Sequence, residues 1–229
     1  MTYTRTVSAP VSEARINTFL AQVYLIMSLG LVVTGFVASL TSKNADLLIN
    51  TLRPGFAFGL FILQIVIVIA LNAAVMRMSP ALAGLLFIAY SALTGLTMAS
   101  LFLVYTQAEI AQVFWLTAGT FFITSLFGIV FKRDLSSAGH VLFMLLLGWS
   151  LAWIFSWFFP SLHMLLTYIG IAIFVGLTAH DTQRLQEMGE QLDTHPARGG
   201  LAVSGALTLY LDFINLFLQI LRASQRREN

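Results

Sequence analysis

The chain has 229 residues, of which 58% are hydrophobic and 10% charged; a soluble domain carries about a quarter charged residues, so this composition excludes a water-soluble globule and indicates an integral membrane protein. A formal net charge of +2 provides no basic patch of the kind nucleic acid requires, and no nucleic-acid partner is expected. The absence of cysteine excludes a disulfide framework, a thiolate metal site and a cysteine nucleophile.

Residues 1–18 are polar, with Arg5, Pro10, Glu13 and Arg15, and are expected to form a cytoplasmic segment. The apolar run that follows is too long for a signal-peptide core, so the first helix is expected to stay in the mature protein. Seven runs are long enough to span a bilayer: Phe19 to Leu40, Gly55 to Met76, Ala81 to Tyr105, Ile110 to Phe131, His140 to Phe159, Leu162 to Asp181 and Leu201 to Leu221. Together they predict an all-α domain over residues 19–222, leaving residues 223–229 as a polar, basic tail. Helix-ending residues separate the runs: Ser42-Lys43-Asn44 and Arg53-Pro54, then Arg77 to Pro80, Lys132-Arg133-Asp134, and Pro160. After the sixth run, Gln183 to Met188 can prolong its helix into the headgroups before Pro196 and Gly199-Gly200 redirect the chain.

Seven spans place the two termini on opposite sides. With the amino end cytoplasmic, the inner segments hold Arg5, Arg15, Arg77, Lys132, Arg133, Arg184 and Arg198, against Lys43, Arg53, Arg222, Arg226 and Arg227 outside, a small bias in favour of that orientation. Ser91, Gly95 and Ala99, and Thr120, Thr124 and Gly128, recur at steps of four, the spacing by which small residues let membrane helices approach closely. Trp149, Trp153 and Trp157 form a ridge on the fifth run, read as lipid-facing or packing surface.

The seventh run is polar along one face. Ser204, Thr208, Asp212, Asn215, Gln219 and Arg222 follow at steps of three and four, the helical period, over a rise of about 27 Å. A lone carboxylate near the middle of a membrane helix costs roughly 2.5 to 3.5 kcal/mol even on the milder insertion scale, so this face is expected to look at other helices or at water. Asp181 closes the apolar part of the sixth run and shares a face with Thr178 and Arg184. With helix six running to Met188, Asp181 lies about 10 Å below its end and Asp212 about 16 Å from the start of helix seven, on the same side. Two carboxylates brought together in a low-dielectric bundle cannot both ionise cheaply, so they would share one proton and act as a pH sensor. A purely structural aspartate, satisfied by Tyr210, Asn215, a threonine or backbone donors, is the alternative. Arg77 is a natural counter-ion for Asp181 or an ordinary flanking arginine. His140, His163, His180 and His195 show no metal-ligand spacing, and His180 reads as an interfacial residue pointing about 100° away from Asp181.

The segments Phe174-Val-Gly-Leu-Thr-Ala-His-Asp-Thr-Gln-Arg184 and Gly205-Ala-Leu-Thr-Leu-Tyr-Leu-Asp-Phe-Ile-Asn-Leu-Phe-Leu-Gln-Ile-Leu-Arg222 closely resemble the sixth and seventh helices of the Bax inhibitor family, also called the transmembrane Bax inhibitor motif family. Ala21-Gln-Val-Tyr24, Tyr90 to Thr97 and Lys132-Arg-Asp-Leu-Ser136 extend the likeness over nearly the whole chain, and it looks most like the bacterial inner-membrane branch. The resemblance implies seven helices, with two triple-helix layers wrapped around the last one. It also implies a pH-sensitive calcium leak in which Asp181 and Asp212 are the titrating pair and Arg77, at the end of helix two, the latch. Tyr210, Thr178 and the polar stripe would support the pair or line the pore.

A cation leak in the inner membrane, without catalysis or cofactor, is therefore the expected function. Calcium would be the permeant ion, held weakly and transiently by Asp181 and Asp212, because two carboxylates with Asn215, Thr208, carbonyls and waters make an incomplete calcium cage. A monomer in the bilayer is expected. The alternative is a non-conducting regulatory protein that binds a membrane protease or stress factor. An intramembrane aspartyl protease would also use paired aspartates, but its Gly-x-Gly-Asp motif is missing: Leu209-Tyr210-Leu211 precede Asp212.

Overall fold

The computed structural model describes residues 13–75, 77–130, 136–191 and 198–225. All regular structure there is helical: α1 (Glu13–Lys43), α2 (Ala45–Leu52), α3 (Pro54–Ala74), α4 (Pro80–Met98), α5 (Gln107–Val130), α6 (Ser136–Phe155), α7 (His163–Gln191) and α8 (Arg198–Ser224), with single 3₁₀ stretches at Ala99–Leu103 and Pro160–Leu162. Seven of these helices are long and apolar enough to cross a membrane, and each coincides with one of the seven apolar runs. The first starts earlier than expected, at Ile16, so part of the supposed polar leader is already helix. The remainder of that leader, the Lys132–Asp134 connection, His195 and the basic residues Arg226 and Arg227 lie outside the described residues.

The helix ends follow from local chemistry. Pro54 and Pro80 sit in the first turns of α3 and α4, where a missing N–H costs nothing, and Ser79 caps α4 by accepting from Leu82 N. Before α5, the Thr106 backbone N–H donates to Glu109 Oε2 at 2.6 Å and Glu109 N donates to Thr106 Oγ1 at 3.2 Å, a reciprocal capping box. The short α2 is capped by Asn44 accepting from Leu47 N, where the sequence had shown only turn residues. α7 continues well past Asp181 to Gln191, as expected.

α4 packs on α1 and α3, α7 packs on α5 and α6, and α8 packs against α1, α3, α4, α5 and α7. Close approach depends on small residues. A Cβ on Gly95 would sit 2.7 Å from the Thr34 carbonyl oxygen, and one on Gly128 would overlap the Ala179 carbonyl, so the small-residue steps of α4 and α5 face α1 and α7. Side chains such as Val32, Phe36, Phe58, Ile123 and Phe143 point outward, an apolar perimeter that suits acyl chains and would be a liability in water. α8 is the inverse case. Leu207, Leu209, Tyr210, Leu216 and Leu221 are at most 1% exposed; of the polar stripe, Asp212 and Gln219 are buried, Ser204, Thr208 and Asn215 are half-buried, and Arg222 is exposed.

Candidate functional site

Asp212 stands midway along α8 and is buried. Asp181 on α7 adjoins it on the wall of one cavity, and no N–H or hydroxyl group of the described residues donates to the buried Asp212 Oδ2. A carboxylate only accepts hydrogen bonds, so a bond between two carboxyl groups requires a proton on one of them. The two adjoin because the prolonged α7 and the antiparallel α8 both start counting from the same membrane edge.

A cavity of about 840 Å³ between α6, α7 and α8 exposes both carboxyls, together with His140, Ser150, Thr208 and Asn215. On the other side a crevice of about 100 Å³ reaches towards α3 and is lined by Asn72, Arg184, Ser204, Thr208 and again Asp181. Asp181, Arg184 and Thr208 therefore border both spaces. The Asn215 amide nitrogen donates to Leu211 O and Thr208 Oγ1 donates to Ser204 O, each bond within α8, so their remaining lone pairs face the cavity without being tied to another helix.

Not every residue expected in the site lies there. Tyr210 points to the opposite side of α8, where its hydroxyl lies 2.6 Å from Thr34 Oγ1 and its ring meets Phe87 and Tyr90 edge-on. Thr178 is buried and donates to Phe174 O, its own preceding turn. Gln219 is buried near the far end of α8, accepting a long 3.4 Å bond from Arg222. Arg77 is exposed in the turn after α3, and no ion pair joins it to Asp181 among the described residues.

Two neighbours of the pair were missed in the sequence. His180 Nδ1 lies 2.8 Å from Asp181 Oδ1, both side chains being about 15% exposed (15% and 14%). The imidazole rests on α6 where Gly139 leaves room, and a Cβ there would overlap it. Adjacent residues diverge by about 100° on a helix, which argues against contact, yet two intermediate-length side chains bend together where a neighbouring helix leaves the ring room. Asn72 is the second: its Oδ1 accepts from Ser204 Oγ at 3.2 Å, tying α3 to α8. An amide in an apolar run, one of two there with Gln64, was the available signal. Among the described residues no three His, Cys, Asp or Glu side chains converge as a metal site.

A seven-span helical bundle with an aspartate on each of its last two helices lining one cavity defines the class. The family model described as "Inhibitor of apoptosis-promoting Bax1" matches residues 16–229, and the chain belongs to that family. It is similar to the inner membrane protein YbhL of Escherichia coli strain K12, 48% identical over 216 residues and 92% of each chain. An uncharacterized protein of Borreliella burgdorferi is 39% identical, covering 93% of this chain and 94% of its own, and an uncharacterized membrane protein of Streptococcus pyogenes serotype M1 is 32% identical, covering 95% and 96%.

Proposed function

We propose that the protein is a pH-sensitive cation leak, with calcium as the permeant ion and the Asp181–Asp212 pair as its sensor. The observation that carries this reading is the placing of two acids, from neighbouring helices, on the wall of one cavity large enough for water and ions. With one shared proton the pair holds a single negative charge. Loss of that proton sets two like charges against each other in a low dielectric and strengthens the demand for a counter-ion; gain of a second removes the charge and the reason for the contact.

In this reading Arg77 is the cation recruited when Asp181 is ionised, and the recruitment requires the end of α3 to move towards α7. The hydrogen bond from Ser204 to Asn72 keeps that end beside the crevice. Calcium prefers six to eight oxygen ligands. Two carboxyls with Thr208 and Asn215 supply fewer, which suits passage and not storage. The role is transport without catalysis, in the inner membrane, with the amino terminus cytoplasmic.

The test is calcium flux into proteoliposomes between pH 6 and 8, where physiological switches titrate. The parent is expected to conduct more as pH falls, while Asp181→Asn and Asp212→Asn flatten the response. Variants that titrate like the parent would remove the gating role. A purified parent that passes no calcium at any pH, yet captures a stoichiometric membrane protein by crosslinking, would favour the regulatory alternative.

A further inference from the structure

At the membrane edge opposite Asp181, the ends of α6, α7 and α8 enclose a separate cavity of about 240 Å³, lined by Trp153, His163, Thr167, Tyr168, Arg222 and Gln225 among others. It is smaller than the roughly 300–1,000 Å³ of sites for drug-sized ligands. The Arg222 guanidinium lies 4.8 Å over the Trp153 ring, and that indole stacks on the His163 imidazole at 5.4 Å and 20°. Stacking on an aromatic face fixes the guanidinium plane and turns its five N–H donors outward along the edge.

Those donors are barely used. The bond from Arg222 Nη1 to Gln219 Oε1 is 3.4 Å long, beyond the usual N–H···O range, and no carboxylate pairs with Arg222 among the described residues. In the same corner Trp153 Nε1, which can only donate, and His163 Nε2 are buried with no partner. Gln225 Oε1 accepts from Tyr105, which leaves the Gln225 amide as a further donor. The corner holds a fixed cation and surplus donors, and the complement to that is a small anion with several acceptor oxygens. Its setting narrows the source. Trp157, Phe158 and Phe159, exposed by 85%, 78% and 59%, surround the α6–α7 connection, and aromatic side chains of this kind mark the headgroup level of a bilayer.

We propose that this corner binds a phosphate oxyanion, supplied by the phosphodiester of an anionic lipid headgroup and held by the Arg222 fork on Trp153. The proposal is independent of the calcium reading, since it concerns the other end of α8. Native mass spectrometry of the detergent-solubilised protein with added phosphatidylglycerol tests it. The parent is expected to retain one lipid about tenfold more tightly than Arg222→Gln, with Arg222→Lys, which keeps the charge but loses the planar fork, in between. Trp153→Phe keeps a ring under the guanidinium and removes the indole donor, and should weaken retention by a smaller factor. A parallel arm with inorganic phosphate identifies the source: lipid that stays bound in millimolar phosphate assigns the headgroup, and lipid displaced by it assigns free phosphate to the same donors. Equal retention by parent and Arg222→Gln overturns the site. So does a parent that binds lipid only after deletion of residues 226–229, because the tail carboxylate of Glu228 would then be the occupant.

Discussion

Tyr210 shows what a single buried polar group does in this bundle. Its hydroxyl is satisfied by Thr34, whose Oγ1 also lies within reach of the Gly30 and Ser91 carbonyls at 3.0 and 2.9 Å. The three helices α1, α4 and α8 meet at that oxygen. Tyr210→Phe removes one bond to Thr34 Oγ1, which keeps the Gly30 and Ser91 carbonyls as acceptors, and a loss of about 1 kcal/mol is expected, measurable as a lower unfolding midpoint in detergent, with calcium flux and its pH profile unchanged. Asp212, two residues along, is on the other side of the same helix, and the two positions separate scaffold from proposed sensor. The aspartate pair was legible in the sequence because a carboxylate in an apolar run needs a reason and helical arithmetic brought the two to one level. The His180 bond to Asp181 was not, since it depends on the room that Gly139 of another helix leaves for the ring, information that no local spacing contains.

Helix boundaries were legible wherever a proline or a capping side chain fixed them, and less so where tertiary contact decided. The eight residues of α2 bury Leu48 and Thr51 while leaving Leu47, Ile49 and Leu52 exposed. A segment that short shows no periodicity worth reading, and only the Asn44 cap with Asp46 in the first turn hinted at it. The capping box before α5 was present as Thr106-Gln-Ala-Glu109, in the short gap between the third and fourth apolar runs, and was not recognised there. Thr106→Ala is expected to cost about 1 kcal/mol of stability, and Glu109→Gln, which keeps the acceptor, clearly less; thermal unfolding of the two variants side by side checks the order. Between helices the prediction is sharper. Gly128→Val places a branched side chain where even one Cβ overlaps Ala179, so α5 must leave α7, and the purified variant is expected to lose its cooperative unfolding transition, whereas Gly119→Val, with open space around it, keeps it.

At the level of the bundle, composition alone excluded a soluble protein, and span count followed from apolar length. Which helix fills the interior followed from the polar stripe of α8, although the stripe divides between two ends that serve different chemistry: Ser204, Thr208 and Asn215 beside the acids, Gln219 and Arg222 beside the aromatic corner. Seven crossings predict opposite sides for the termini. Because the chain contains no cysteine, single substitutions Thr2→Cys and Asn229→Cys report this directly, one expected to react with an impermeant thiol reagent already in intact cells and the other only after lysis. Labelling of both from one side would remove a span.

The most buried helix, α8, follows in sequence the five long helices α1, α3, α4, α5 and α7 that pack against it. During synthesis the earlier spans must therefore enter the bilayer around a gap, with Thr34, Ser91 and Asp181 lacking their eventual neighbours. Chains halted before residue 198 should accumulate as protease-sensitive six-span intermediates, and supplying α8 as a separate polypeptide should rescue them, so that the final insertion step is also a checkpoint on assembly.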